Sequence, residues 1–194
     1  MGEEKNREML DWIAVSVIGR DGPGIVAAVS KALYRNDYNI EALSQIVIMG
    51  QFAMILMASA PKGVMHVKLK GDFDIVGTQL DLDINIREIQ PDEIVPYRYG
   101  EMEPFVITVR GEDRPGLAYG ITEVLTEFGI NITNLDAKVT LLGQKPEYIQ
   151  VFEVDIPKEL DFGLIQERLR DRGQALGVHV DLQHRDIFRA INQI

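Results

Sequence analysis

The chain has 194 residues, 46% of them hydrophobic, and carries 30 acidic against 20 basic side chains for a formal net charge of −10. This balance suits one or two globular domains, and the lack of a run of about 18 apolar residues predicts no membrane-spanning helix. With no cysteine, disulfides, thiolate metal sites and a cysteine nucleophile are excluded; with no clustered Lys and Arg, direct nucleic-acid binding is not expected.

In chain order, residues 1–10 carry Glu3, Glu4 and Glu8 and no apolar stretch. They read as a solvated tail rather than an export signal, and a cytoplasmic location is expected. Trp12 precedes the first strand, in which Ile13, Val15 and Val17 alternate with Ala14 and Ser16. The turn Gly19-Arg20-Asp21-Gly22-Pro23-Gly24 leads into a helix with Ile25, Val29 and Leu33 on one face. Asn36-Asp37 can end it, because both types tolerate left-handed backbone. Strands are predicted at 40–49 and 51–60 around Gly50. Pro61 suits the start of a second helix carrying Met65, Leu69, Phe73, Val76 and Leu80, with Gly77 as a possible end. A closing strand alternates Leu82, Ile84 and Ile86 with polar residues.

Residues 90–104 hold Pro91, Pro96 and Pro104 and read as a connector outside either sheet. Residues 17–47 and 109–139 then align without a gap, 92 positions apart. Gly19, Asp21, Pro23, Gly24, Asn39 and Ile40 meet Gly111, Asp113, Pro115, Gly116, Asn131 and Ile132. The second copy repeats every element. Its first strand has Phe105, Ile107 and Val109, its helix Leu117, Ile121 and Leu125, and Gly129 marks the helix end. Strands at 131–142 and 147–156 flank a turn at Gly143-Gln144-Lys145-Pro146. A helix with Phe162, Ile165 and Leu169 and a strand with Val178, Val180 and Leu182 complete the copy. A short helix is predicted at 184–194, where Ile187, Ala190, Ile191 and Ile194 share a face.

The order β-α-β-β-α-β, twice, is that of an α+β, ferredoxin-like fold, with an antiparallel sheet covered by helices on one face. The expected boundaries are 11–89, connector 90–104, 105–183, and tail helix 184–194.

The turns Asp21-Gly22-Pro23-Gly24-Ile25 and Asp113-Arg114-Pro115-Gly116-Leu117 join a strand end to a helix start. A helix N-terminus offers unpaired N–H groups and positive potential, which suit a carboxylate. Asp21 and Asp113 are placed to cap the helix or to receive an ammonium group. Asn39 and Asn131, at equal spacing beyond them, offer a donor and an acceptor. N-capping without any ligand accounts for the same residues.

These motifs resemble ACT domains: Asp113 to Leu117 with Gly129 to Ile132, and Asp21 to Ile25 with Asn39-Ile40. The resemblance implies binding of small metabolites, usually amino acids, at the helix-1 turn and between paired domains; no cofactor or metal is expected, because no metal-ligand spacing or phosphate-binding loop appears. The resemblance makes Gly22, where an Arg is common, a departure in the first copy. A chain of two such domains is similar to the glycine cleavage system transcriptional repressor group, which implies regulation through a protein partner. Two alternatives are a regulatory subunit of a separate biosynthetic enzyme, since Asn39-Ile40-Glu41-Ala42-Leu43 is similar to the acetolactate synthase small subunit, and a ligand-free interaction module. An enzyme is not expected. His66, His179 and His184 lack a recognisable nucleophile or metal partner, read as surface, and His184 falls in the tail.

Finally, Ile46 and Ile48 of the first copy stand where the second has Lys138 and Thr140, while Val47 and Val139 match. If the matched pair packs under the helices, Ile46 and Ile48 point away. With Phe52, Met54, Leu56, Ile55 and Met57, apolar at both parities, they predict an interface, in a homodimer or with a partner. The two sheets are expected to pair side by side.

Overall fold

The computed structural model describes residues 10–63, 66–94, 100–142 and 145–192. The chain divides between residues 96 and 97 into two compact units. The first runs β1 (Leu10–Arg20), α1 (Ile25–Arg35), β2 (Asn39–Ile48), β3 (Gln51–Pro61), α2 (His66–Leu80) and β4 (Leu82–Ile89), then a 3-10 turn at Pro91–Glu93. The second runs β5 (Met102–Gly111), α3 (Leu117–Glu127), β6 (Asn131–Leu142), β7 (Lys145–Pro157), α4 (Phe162–Leu176), β8 (His179–His184) and α5 (Arg185–Asn192). The sheet orders are β2-β3-β1-β4 and β6-β7-β5-β8, every pair antiparallel. Both units thus have the expected βαββαβ, ferredoxin-like architecture.

Alternation along the strands builds each core. Ile13, Val15 and Val17 of β1 are buried with Ile25, Val29 and Leu33 of α1 and Leu69 and Phe73 of α2. In the second unit Ile107 and Val109 meet Leu117, Ile121 and Leu125 of α3 and Ile165 and Leu169 of α4. The β3 residues Phe52, Met54, Leu56, Ala58 and Ala60 are all buried, whereas Ile55 between them is 58% exposed. Apolar at both parities, β3 nevertheless alternates in burial from Gln51 to Ala58.

Several elements depart from the sequence reading. Trp12 lies within β1, opposite Ser59 and Ile89, not ahead of it. Pro61 ends β3 and does not start a helix; Met65 lies outside the described residues. Gly77 sits inside α2, where a Cβ would stand 2.8 Å from the Leu82 carbonyl oxygen. It permits that close approach and does not stop the helix, which runs to Leu80 before Asp81 turns left-handed at φ 54°. Asp37 takes φ 61° where Gly129 takes φ 64°, so it serves as the first copy's helix-ending residue.

Pro104 stands within β5, opposite Asp155. Its missing N–H is tolerated because β8 pairs with β5 only from Phe105 onward. Lys145 and Pro146 belong to β7, paired with Leu142 and Leu141, so the connection shortens to Gly143-Gln144, outside the described residues. The matching β2–β3 connection is Met49-Gly50, with φ 51° and 80°, as a two-residue hairpin loop requires.

Val47 does not pack under the helices: it is 47% exposed, and along β2 only Ile40 is part-buried. The cause is the edge position of β2, which the core reaches only at its first residues. α5 lies against β5 and β8. Of its expected apolar face, Ile187 is exposed, and Ile194 lies outside the described residues.

The two glycines of α2 separate packing from propensity. Gly71→Ala meets open space and is expected to stabilise by up to about 1 kcal/mol. Gly77→Ala, which must displace backbone, is expected to destabilise by about 1–3 kcal/mol. Urea unfolding midpoints of the two variants check this opposite sign.

Candidate functional site

The two strand-to-helix turns are built alike. Gly24 and Gly116 are the N-caps, with left-handed backbone at φ 93° and 95°, and neither helix start receives a side-chain cap. Asp21 and Asp113 therefore do not cap α1 and α3. The first intrahelical bonds run from Ala28 N–H to the Gly24 carbonyl and from Gly120 N–H to the Gly116 carbonyl, each 2.9 Å. The amides just inside each helix start lie before those bonds and point out of the helix end, where the dipole is positive. Asp21 to Gly24 and Asp113 to Gly116 are exposed, while Ile25 and Leu117 are buried and anchor the helix starts. Asp21 N–H donates to the Gly50 carbonyl at 2.9 Å and ties the first turn to the β2–β3 hairpin.

In the second unit this turn opens onto a cavity of about 400 Å³, lined by Asp113, Arg114, Pro115, Gly116, Leu117, Ala118, Tyr148 and Gln150. Tyr148 and Gln150 were not singled out in the sequence. Gln150 is 2% exposed, on the helix-facing side of β7, opposite Val109. Its Nε2 donates to the Tyr148 hydroxyl at 3.3 Å, and its Oε1 is buried with no hydrogen-bond partner. The signal was present: a glutamine at the inward parity of a strand that otherwise buries Phe152, Val154 and Ile156. The first unit has Met54 at this place, opposite Val17. Arg114 lies over Gly177, the C-cap of α4, with Nη2 3.0 Å from where a Cβ would be. A cation there complements the negative end of that helix.

Asn39 and Asn131 do not join these turns. Asn39 pairs with Ser59, which pairs with Trp12, at the opposite end of the sheet from Arg20 and Asp21. At about 3.3 Å per residue, Trp12 and Arg20 are roughly 26 Å apart. Asn131 pairs with Asp155 opposite Pro104, roughly 23 Å along β5 from Gly111. One amino acid cannot touch both the turn and the asparagine of the same unit, and the expectation that Asp113 and Asn131 share a ligand within one copy is corrected. Ile40 and Ile132 belong with their asparagines and pack against the cores.

Each asparagine instead precedes a β-bulge: the register shifts between Ile40 and Ala42 and between Ile132 and Asn134. At the first bulge Asn39 Nδ2 and Ser59 Oγ both donate to Glu41 Oε1, at 2.9 and 2.6 Å. The bonds from Ser59 and then Asn39 hold the Glu41 carboxyl below its ordinary range.

The histidines have partners that the sequence did not reveal. His66 Nδ1 lies 2.5 Å from the Tyr38 hydroxyl. Burial, then the charges of Asp11 and Glu88, push Tyr38 up to about 12. His184 ends β8 and does not lie in a tail; its ring meets Phe105 edge-on at 5.3 Å. His179 is exposed beside Asp181, 2.9 Å away. Among the described residues no group of three or more His, Asp or Glu could hold a metal ion, and no helix is long and apolar enough to cross a membrane.

Comparison with known proteins accords with this geometry. Two ACT domain family models match, over residues 11–87 and 105–174. The chain belongs to the ACT domain family, with two such domains in tandem. Among curated relatives it is 36% identical to the UPF0237 protein of Methanopyrus kandleri, over 46% of this chain and 96% of that one. It is also 36% identical to the UPF0237 protein of Methanocaldococcus jannaschii, over 48% and 100%. Two solved structures span 90% of the chain. One is an unknown protein from Galdieria sulphuraria (TM-score 0.72, 23% identity, 98% of that chain). The other is a candidate glycine cleavage system transcriptional repressor (TM-score 0.64, 18% identity, 97% of that chain). At those identities the two likenesses show the fold alone.

The Glu41 cluster yields a titration test. A carboxyl held low in the folded state contributes stability above its unfolded value, and that stability is lost as pH falls through the folded value. Ser59→Ala is expected to move the Glu41 titration up toward 4.5, read by carbon-detected NMR. An unmoved titration would show that the Ser59 bond does not set it.

Proposed function

We propose that this chain is a regulatory protein that binds a free α-amino acid at the Asp113–Leu117 turn, catalyses no reaction, and acts through a protein partner. The observation that carries this reading is the cavity at the α3 N-terminus, where no side chain caps the helix by a hydrogen bond. A ligand carboxylate would sit on the N–H groups of the first helical turn. Asp113 would receive the ammonium group. Gly116 has no side chain to obstruct the approach. Asn131 and Ile132 stay outside this pocket. The first unit offers the same backbone at Asp21, Gly22, Pro23, Gly24 and Ile25, but with Gly22 in place of Arg114 and Met54 in place of Gln150, and is assigned the weaker site. Action through a partner, in transcriptional control of amino-acid metabolism within the cytoplasm, is supported by the resemblance to the glycine cleavage repressor group. The acidic charge, without a basic cluster for DNA, points the same way.

Isothermal titration of the full chain with the twenty amino acids tests the site. At least one is expected to bind, and Asp113→Ala is expected to cost about 1–3 kcal/mol of that affinity. Absence of binding, or binding indifferent to Asp113→Ala, would defeat the site.

The partner surface is proposed at Ile46 and Ile48, which are 49% and 57% exposed. Through the pairs Ile46 with Ala53 and Ser44 with Ile55, and Ile18 with Ala53, they continue into Ile55 and Ile18 on the helix-free face. Ile18 and Ile55 are 54% and 58% exposed. A homodimer through it is expected to scatter light at twice the chain's 21.8 kDa. The double variant Ile46→Lys, Ile48→Thr is expected to return it to the single-chain mass. A monomeric wild type would remove the homodimer.

A further inference from the structure

We propose that Gln150 is the specificity residue of the second unit's pocket, and that it selects amino acids whose side chain carries an O–H or N–H donor. The inference rests on the ligand reading above and names the ligand class.

Gln150 is out of keeping with its position. It faces the helices, is 2% exposed, and is flanked along β7 by a core that is otherwise apolar. Tyr148 takes one end of its amide, and the other end, Oε1, has no hydrogen-bond partner. A buried carbonyl oxygen in that state weakens a fold, because water satisfied it in the unfolded chain. The fold does not require a glutamine here. Met54 fills the equivalent place in the first unit, opposite Val17 as Gln150 is opposite Val109, and is itself buried.

The residue is not remote from the site. Gln150 and Tyr148 form the β7 wall of the cavity whose other wall is the Asp113–Ala118 turn. A ligand held by its carboxylate at the α3 N-terminus and by its ammonium at Asp113 has its side chain left to meet the β7 wall. What the Gln150 oxygen lacks is a donor. A site that hydrogen-bonds a substrate hydroxyl or amide discriminates strongly against the analogue without it, since the site's own polar group is then left unpaired. Serine, threonine, asparagine and glutamine meet the requirement. Alanine, valine and leucine do not, and an aspartate or glutamate carboxylate would face the Gln150 oxygen with a second acceptor.

The test is titration of the full-length wild type and Gln150→Met with near-isosteric pairs: L-threonine and L-valine, L-asparagine and L-leucine, L-asparagine and L-aspartate. In at least one pair the wild type is expected to favour the donor-bearing member by tenfold or more. Gln150→Met is expected to bring that ratio within about twofold. Thermal unfolding without ligand supplies a readout independent of binding: Gln150→Met is expected to melt at or above the wild-type temperature. A preference that survives in Gln150→Met, an absence of preference in the wild type, a preference for L-aspartate, or a variant that melts well below wild type would each overturn the assignment. The first three leave the turn site standing if Asp113→Ala still weakens binding. If no amino acid binds, the turn site fails and the assignment fails with it.

Discussion

A left-handed residue at the strand-to-helix corner sets the rest of each unit. At Gly24 and Gly116 the backbone reaches φ of 93° and 95°, a region that costs other residues energy. That corner turns the chain from the end of β1 or β5 back across the sheet, which puts Ile25, Val29 and Leu33 over Ile13, Val15 and Val17. A glycine N-cap also brings no side chain to the helix start. The residue that makes the fold possible thus leaves the helix end open to a small anion. Fold and candidate site share one conformational requirement, and neither can be altered there without the other.

Much of this was legible in the sequence because it rests on local periodicity. Alternation in β1 and β5, four-residue spacing in α1 and α3, and glycines at the corners follow from the geometry of single elements. The duplication made each reading twofold. Where the sequence misled, the deciding interaction lay between elements. Pro104 looked like a connector residue, and only the short reach of β8 shows why β5 can hold it. Gly77 looked like a helix stop, and only the approach of the Leu82 carbonyl gives its reason. The bulges at Glu41 and Thr133 lack the glycine that would mark them in sequence.

The candidate site was legible by half for the same reason. The turn is a contiguous segment, and its residues stay together. Asn39 and Asn131 follow their aspartates at a constant interval, but that interval contains a helix running back along the sheet. The interval therefore carries the asparagine away from the turn. Constant spacing recorded the duplication of the fold and said nothing about proximity. Gln150 is far from the turn in sequence and joins it through the pairing of β7 with β5. Polar character at an inward position was its only mark.

The two copies share a backbone and differ where side chains meet a possible ligand or partner. The first has Gly22, Met54, Ile46 and Ile48; the second has Arg114, Gln150, Lys138 and Thr140 at the corresponding places. Met54 completes an apolar core, while Gln150 leaves an oxygen unpaired beside a cavity. The sheet of the first unit exposes Ile18, Ile46, Ile48 and Ile55 to solvent, and the second presents Lys138 where Ile46 stands. Among the described residues the unpaired Gln150 oxygen belongs to the second copy, and the exposed face of Ile18, Ile46, Ile48 and Ile55 to the first. Since the other copy reaches the same fold without it, folding does not account for either feature. Under the proposed function, a small polar ligand in one unit and a protein surface on the other would account for them.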